Sequence, residues 1–174
     1  QEMQITLGLP RLIEIFDARK KPSTPLMEIY LETDSNNEKQ ARITAEKIKE
    51  VKLIDIASEI KVNFSEKKIE VVLNSEAVRS THVTPLTISQ KLTDKGFKNR
   101  LKGNEIIINA AELDFKDIYK RKEKIKEVVI SGVKGIEQVL VVKRDRDFVI
   151  LTAGSNLEEI IKINGVNKDK TLTN

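Results

Sequence analysis

Apolar residues fall at Leu9, Leu12, Ile13 and Phe16, the i, i+3, i+4, i+7 spacing of a helix that buries one face. Pro10 suits the first turn of that helix, where its missing N–H costs nothing. Lys21-Pro22 ends it, because the residue before a proline is driven out of the α region. Residues 26–32 read as a strand with imperfect alternation, and the polar loop 33–37 leads into a second helix over 38–50, with Ala41, Ala45, Ile48 and Val51 on one face. Two strand-like runs, 53–64 and 68–74, meet at Ser65-Glu66-Lys67 and predict an antiparallel hairpin.

The stretch 75–83 is polar and weakly patterned, which predicts a loop or linker. Thr84 as N-cap, Pro85 in the first turn and Gly96 at the stop frame a third helix. Residues 105–110 form a short strand, and Asp114 caps a fourth helix through about Lys126. An extended run over 128–130 is followed by Gly132 and Gly135. The runs 136–143 and 148–152 predict a hairpin over Arg144-Asp145-Arg146-Asp147. A last short helix opens at Ser155, with Glu158 as its capping-box partner, and ends near Asn164-Gly165. The pattern is α+β, with antiparallel hairpins and no sustained βαβ alternation. It divides into two mixed lobes, one including 38–74 and one including 84–130, with both ends of the chain forming a shared base.

Composition narrows the chemistry. The 174 residues and 19.8 kDa suffice for one ordinary domain or two small ones. Charged residues make up 33%, and no stretch approaches the roughly 18 consecutive apolar residues of a membrane span. Aromatics are 4% with no Trp, which argues against stacking platforms for single-stranded nucleic acid. No Cys and a single His exclude disulfide scaffolds, thiolate zinc sites, cysteine nucleophiles and histidine clusters. The net charge of +4 is mildly basic, compatible with a loose polyanion contact or with an ordinary mixed-charge surface. No cationic-then-apolar leader opens the chain, so a cytoplasmic location is expected. The start at Gln1-Glu2-Met3-Gln4 is expected to be a cut inside a longer protein.

No catalytic constellation emerges. His82 stands beside Arg79, Ser80 and Thr81 with no visible partner to orient it as a base. Acidic residues are scattered, with no cluster to gather metals for phosphoryl transfer, and there is no P-loop or nucleophile elbow. Gly132-Val133-Lys134-Gly135 matches the GxxG that clamps RNA backbones, but it lies between strands rather than between helices. Asn63-Phe64-Ser65 fits a glycosylation sequon by chance. What remains are basic clusters: Arg19-Lys20-Lys21; Lys95, Lys98, Arg100 and Lys102; Lys120-Arg121-Lys122 with Lys124 and Lys126; and Lys143-Arg144 with Arg146. Such groups can hold phosphates without reading bases. Glu123, Glu127, Asp145 and Asp147 interrupt the last two clusters, as on a solvated face, and cations at the end of the first helix also complement its dipole.

The run from Ile5 through Lys20, followed by Pro22-Ser23-Thr24-Pro25, resembles the largest subunit of multisubunit DNA-dependent RNA polymerases. The likeness is to the archaeal form, in which the C-terminal part of that subunit is a separate chain, A-double-prime. Ile56-Ala57-Ser58-Glu59-Ile60, Gly132-Val133 with Gly135-Ile136-Glu137, Leu151-Thr152 through Asn156-Leu157, and Thr171 to Asn174 continue the resemblance in order across essentially the whole chain. It implies a transcription component of a nucleotidyltransferase that begins just after the trigger loop. Residues 1–37 and 131–174 would belong to the cleft and 38–130 to the jaw, which lies along downstream duplex DNA. It also implies partners: the A-prime, B and H subunits, the last a small assembly component. It implies no active site or metal here, since the aspartates holding the catalytic magnesium belong to another fragment. Under this resemblance, Arg11, Arg19, Lys20 and Lys21 are the leading DNA contacts, with Lys143, Arg144 and Arg146 behind them. The competing expectation is a protein-interaction scaffold that never touches nucleic acid.

Overall fold

The computed structural model describes residues 24–173. Within them the chain forms β1 (Leu26–Ile29), α1 (Glu38–Ile48), β2 (Val51–Lys52), α2 (Leu53–Ile56), β3 (Ala57–Asn63), β4 (Lys68–Leu73), α3 (Ser75–Ser80) and α4 (Pro85–Asp94). It continues with β5 (Arg100–Lys102), β6 (Glu105–Asn109), α5 (Phe115–Lys126), β7 (Val129–Ser131), β8 (Gln138–Arg144), β9 (Asp147–Ala153), α6 (Leu157–Ile160) and β10 (Leu172–Thr173). This is an α+β fold, and its named strand pairs are all antiparallel. The described residues form two compact units: those up to Glu50 together with those from Gly132 onward, and Val51–Ser131.

The first unit is built on the sheet β10-β1-β9-β8. Strand β9 is central, and Phe148 through Ala153 are all buried. Alternation sends Phe148 and Ile150 to a core shared with Met27, Ile29 and the Ala41, Ala45 and Ile48 face of α1. Val149 and Leu151 pack with Val142 on the opposite face. Asn37 opens α1 by accepting the Gln40 amide at 2.9 Å, and Ile48 at its end is fully buried.

The second unit carries the sheet β3-β4-β6-β5 and the two-stranded pair β2-β7. One face of the larger sheet presents Ile69, Val71 and Leu73 from β4 and Ile106 and Ile108 from β6 to a core completed by Ile88 and Leu92 of α4 and Ile118 and Ile125 of α5. Thr84 caps α4 through the Thr87 amide at 3.1 Å, and Asp114 caps α5 through the Asp117 amide at 2.8 Å. Both helices start where the capping residues predict. The opposite sheet face aligns Lys61, Glu70, Ile107 and Arg100 across its four strands.

Several expectations need correction. Residues 75–83 are not a plain loop: Asn74 accepts the Ala77 amide at 3.0 Å and starts α3, which buries Val78. A helix this short has too few turns to show periodicity in sequence. The run 53–64 opens with a helical turn, because Leu53 and Ile56 both reach the core at i, i+3, while the Asp55 carboxylate accepts the Lys52 amide at 2.8 Å. The cap of α6 is Asn156, which accepts the Glu159 amide at 3.3 Å; the Ser155 hydroxyl is engaged with that of Thr173 at 2.5 Å. Strand β5 was not foreseen. It adds an edge to β6, whose pairing with β4 puts residues of 38–74 and of 84–130 into one sheet, and the helix 38–48 belongs to the first unit.

Candidate nucleic-acid interface

Electrostatics separates the two units. Val51–Ser131 holds 16 Lys and Arg against 12 Asp and Glu, while the rest of the chain holds 15 of each, so the second unit carries the whole formal +4. Many of its cations are already matched. Lys52 meets Glu127 at 2.6 Å, Lys61 meets Glu70 at 3.7 Å, Lys68 meets Glu66 at 2.7 Å, Arg121 meets Glu112 at 3.3 Å and Lys126 meets Glu123 at 2.6 Å. Lys67 and Lys122 lie over the rings of Phe115 and Tyr119. Among the described residues Lys98, Arg100 and Lys102 have no ion pair, and neither do Lys116, Lys120 and Lys124 along one side of α5.

The first of these groups has a defined shape. Strand β5 is the edge of its sheet. Leu101 packs against the core, so strand alternation turns Arg100 and Lys102 the other way; both are exposed, as is Lys98 just before the strand. Asn99 fixes the approach to the strand. Its amide donates to the carbonyls of Ser89 (3.0 Å) and Phe97 (2.9 Å) and to the Thr93 hydroxyl (3.2 Å), and its oxygen accepts from Ser89 Oγ (2.5 Å). Lys98 and Arg100 therefore flank a pinned residue.

Beside them lies a cleft of about 690 Å³ lined by Glu66, Lys68, Lys98, Asn99, Arg100, Ile107 and Asn109. Three cations face one carboxylate. The hydrogen bond that Lys68 donates to Glu66 raises its ammonium above the ordinary value, against burial and the charge of Arg100. Asn109 stands opposite Lys68 across β4 and β6, and its oxygen is taken by the Ala111 amide at 2.9 Å.

The candidate residues named from sequence fare differently. Arg11, Arg19, Lys20 and Lys21, with the helix expected to carry them, lie outside the described residues. Lys143, Arg144 and Arg146 meet at the β8–β9 hairpin, which Asn36 clamps. Its Nδ2 donates to the Arg146 carbonyl (3.3 Å) and Asp147 Oδ1 (2.9 Å), and its oxygen accepts the Phe148 amide (2.8 Å). Lys143 Nζ sits over the Phe148 ring, 5.6 Å from its centre, and Arg144 is bonded to Glu28. Arg146 is exposed and makes no ion pair among the described residues. This hairpin belongs to the first unit, and Lys98 and Arg100 belong to the second.

The GxxG stretch is not a backbone clamp. The amides of Val133, Gly135 and Ile136 donate to the Ile48 carbonyl (2.9 Å), the Glu50 carboxylate (2.8 Å) and the Val133 carbonyl (3.1 Å), which leaves none of these three for a phosphate. His82 is exposed with a φ of 58°. No group of three or more metal-ligating side chains gathers among the described residues, and no helix there is long and apolar enough to cross a membrane. Lys68 was missed from sequence because it joins Arg100 only through sheet pairing. A signal for β5 did exist: Leu101 between two cations, followed by Gly103-Asn104, a two-residue hairpin pair.

No family model matches the chain. Over 175 residues, covering 99% of its length, it is 37% identical to the DNA-directed RNA polymerase subunit Rpo1C of Methanocaldococcus jannaschii. It spans 20% of that curated relative's length.

Proposed function

The chain belongs to the family of the archaeal DNA-directed RNA polymerase subunit Rpo1C, and from that premise we propose that it serves as a non-catalytic segment of such a polymerase, forming jaw and cleft wall. In this reading residues 1–37 and 131–174 line the cleft and 38–130 the jaw. The segment guides downstream duplex DNA through its phosphates and scaffolds the A-prime, B and H subunits in the cytoplasm. The chemistry and its magnesium belong to other parts of the enzyme. The 37% identity across 99% of the chain carries this reading. The surplus positive charge of Val51–Ser131 supports it, because phosphate contacts need only cations at the right height.

The test replaces Arg19, Lys20 and Lys21 by Ala in the assembled enzyme and follows elongation-complex stability across a salt series. The slope of log affinity against log salt should flatten by roughly one unit per lost contact. An unchanged slope removes these residues from the DNA path.

One observation favours a protein-scaffold reading. Phe64, Phe115 and Tyr119 are about half exposed (48%, 57% and 53%), and the Phe64 and Phe115 rings meet edge to face at 5.4 Å. Exposed clustered aromatics mark protein contacts more often than phosphate contacts. Cross-linking the assembled enzyme to downstream DNA separates the two readings.

A further inference from the structure

We propose that the cleft on the open sheet face of Val51–Ser131 is a second phosphate-binding surface, in which Lys98 and Arg100, with Lys68 beside them, grip the backbone of duplex DNA without reading its sequence. The choice of duplex DNA as the polymer rests on the polymerase reading; the affinity for phosphate stands on the cleft itself.

The argument is one of charge, shape and rigidity. Arg100 and Lys102 project from alternate positions of β5, so their stems are spaced about 6.6 Å apart, comparable with successive phosphates along a nucleic-acid strand, and Lys98, just before the strand, lines the same cleft as Arg100. Arg adds a planar fork suited to a phosphate's paired oxygens. The four hydrogen bonds of Asn99 hold the backbone between Lys98 and Arg100, so less ordering is left to be done on binding. Glu66 is engaged by Lys68 at 2.7 Å and offsets one of the three cations lining the cleft. Glu105 opposite Lys102 places another carboxylate nearby, which sets Lys102 apart from the two leading cations. No aromatic residue lines the cleft, so unstacked bases have no platform there, and a duplex backbone fits better than a single strand.

The test measures fluorescence anisotropy of a labelled random-sequence duplex with the 174-residue chain across a salt series. It compares wild type, K98A/R100A, the charge-preserving K98R/R100K, and K120A/K124A on α5 as a positional control. K98A/R100A is expected to weaken binding and lower the salt slope by about two units, while K98R/R100K and K120A/K124A stay near wild type. Unchanged melting curves establish that the variants fold. An equal loss in K120A/K124A, or no loss in K98A/R100A, overturns the proposal.

Competitors identify the ligand. Displacement of the duplex by inorganic phosphate at submillimolar concentration would assign the cleft to a small anion, and equal displacement by poly-L-glutamate at matched charge would assign it to an acidic polypeptide; either overturns the DNA assignment. These outcomes are independent of the Arg19, Lys20 and Lys21 test, so failure of one reading leaves the other measurable.

Discussion

The carboxylate of Glu50 accepts the backbone amide of Gly135 at 2.8 Å, and the Glu50 amide in turn donates to the Ile136 carbonyl at 2.8 Å. The chain leaving α1 is thereby bound to the glycine loop that precedes β8. Glu50 is only 9% exposed, so deleting its carboxylate leaves the half-buried Gly135 amide without that acceptor. Hydrogen bonds to charged groups contribute about 1.5–3 kcal/mol. Glu50→Ala should lower stability by that order in urea denaturation, with Glu50→Gln between it and wild type. A change within error would mean the loop is held by its backbone bonds alone.

Two glycines separate steric crowding from backbone preference. Gly154 has a φ of 101°, and an added Cβ would lie 1.7 Å from the Gly135 carbonyl oxygen; Gly96 has a φ of 92° with nothing near it. The left-handed conformation alone costs a non-glycine residue about 1–2 kcal/mol. Gly96→Ala should show that cost and Gly154→Ala clearly more, since backbone must move. Equal losses in thermal melts would show that the close approach at Gly154 relaxes freely.

Local signals in the sequence were the dependable ones, and the structure shows why. Thr84 and Asp114 announce their helices because a cap acts within three residues. The β8–β9 hairpin was legible from two apolar runs around a charged turn, closed with Asp145 at a φ of 54°. The short helices α2 and α3 were not, because four or six residues give no period to detect. Strand β5 has one apolar residue, Leu101, and owes its conformation to pairing with β6. The cleft was half visible. Lys98 and Arg100 stood out as a basic cluster, but Lys68 comes to them from β4 across an intervening strand, a non-local pairing that no sequence window contains.

The Glu123–Lys126 pair gives stability a defined pH window. Its 2.6 Å contact lowers the Glu123 carboxyl below its ordinary 4.5 and raises the Lys126 ammonium above its ordinary 10.5, in each case chiefly through the hydrogen bond between them. The carboxylate's contribution is present above 4.5 and lost as pH falls through its folded value. The ammonium's is present below 10.5 and lost as pH rises through its own. Both side chains are partly exposed, so the effect is small. The Tm difference between wild type and Glu123→Gln should be open at neutral pH and close toward either extreme; a pH-independent difference would point to packing instead.

At the β8–β9 hairpin, neighbouring arginines should respond differently to mutation. Arg144 is bonded to Glu28, so a phosphate approaching it competes with a carboxylate already in place, and the charge gained is partly offset. Arg146 is exposed, with no such partner among the described residues, and its backbone is held by the Asn36 amide at 3.3 Å, which fixes where its side chain starts. If this hairpin lies on the DNA path, Arg146→Ala should reduce the salt slope of duplex binding by about one unit, and Arg144→Ala by less. Glu28→Gln should then raise affinity, because it releases Arg144 without removing a cation. An Arg144→Ala loss as large as that of Arg146→Ala would mean Glu28 surrenders its partner to the phosphate, and silence from both variants would take the hairpin out of the interface.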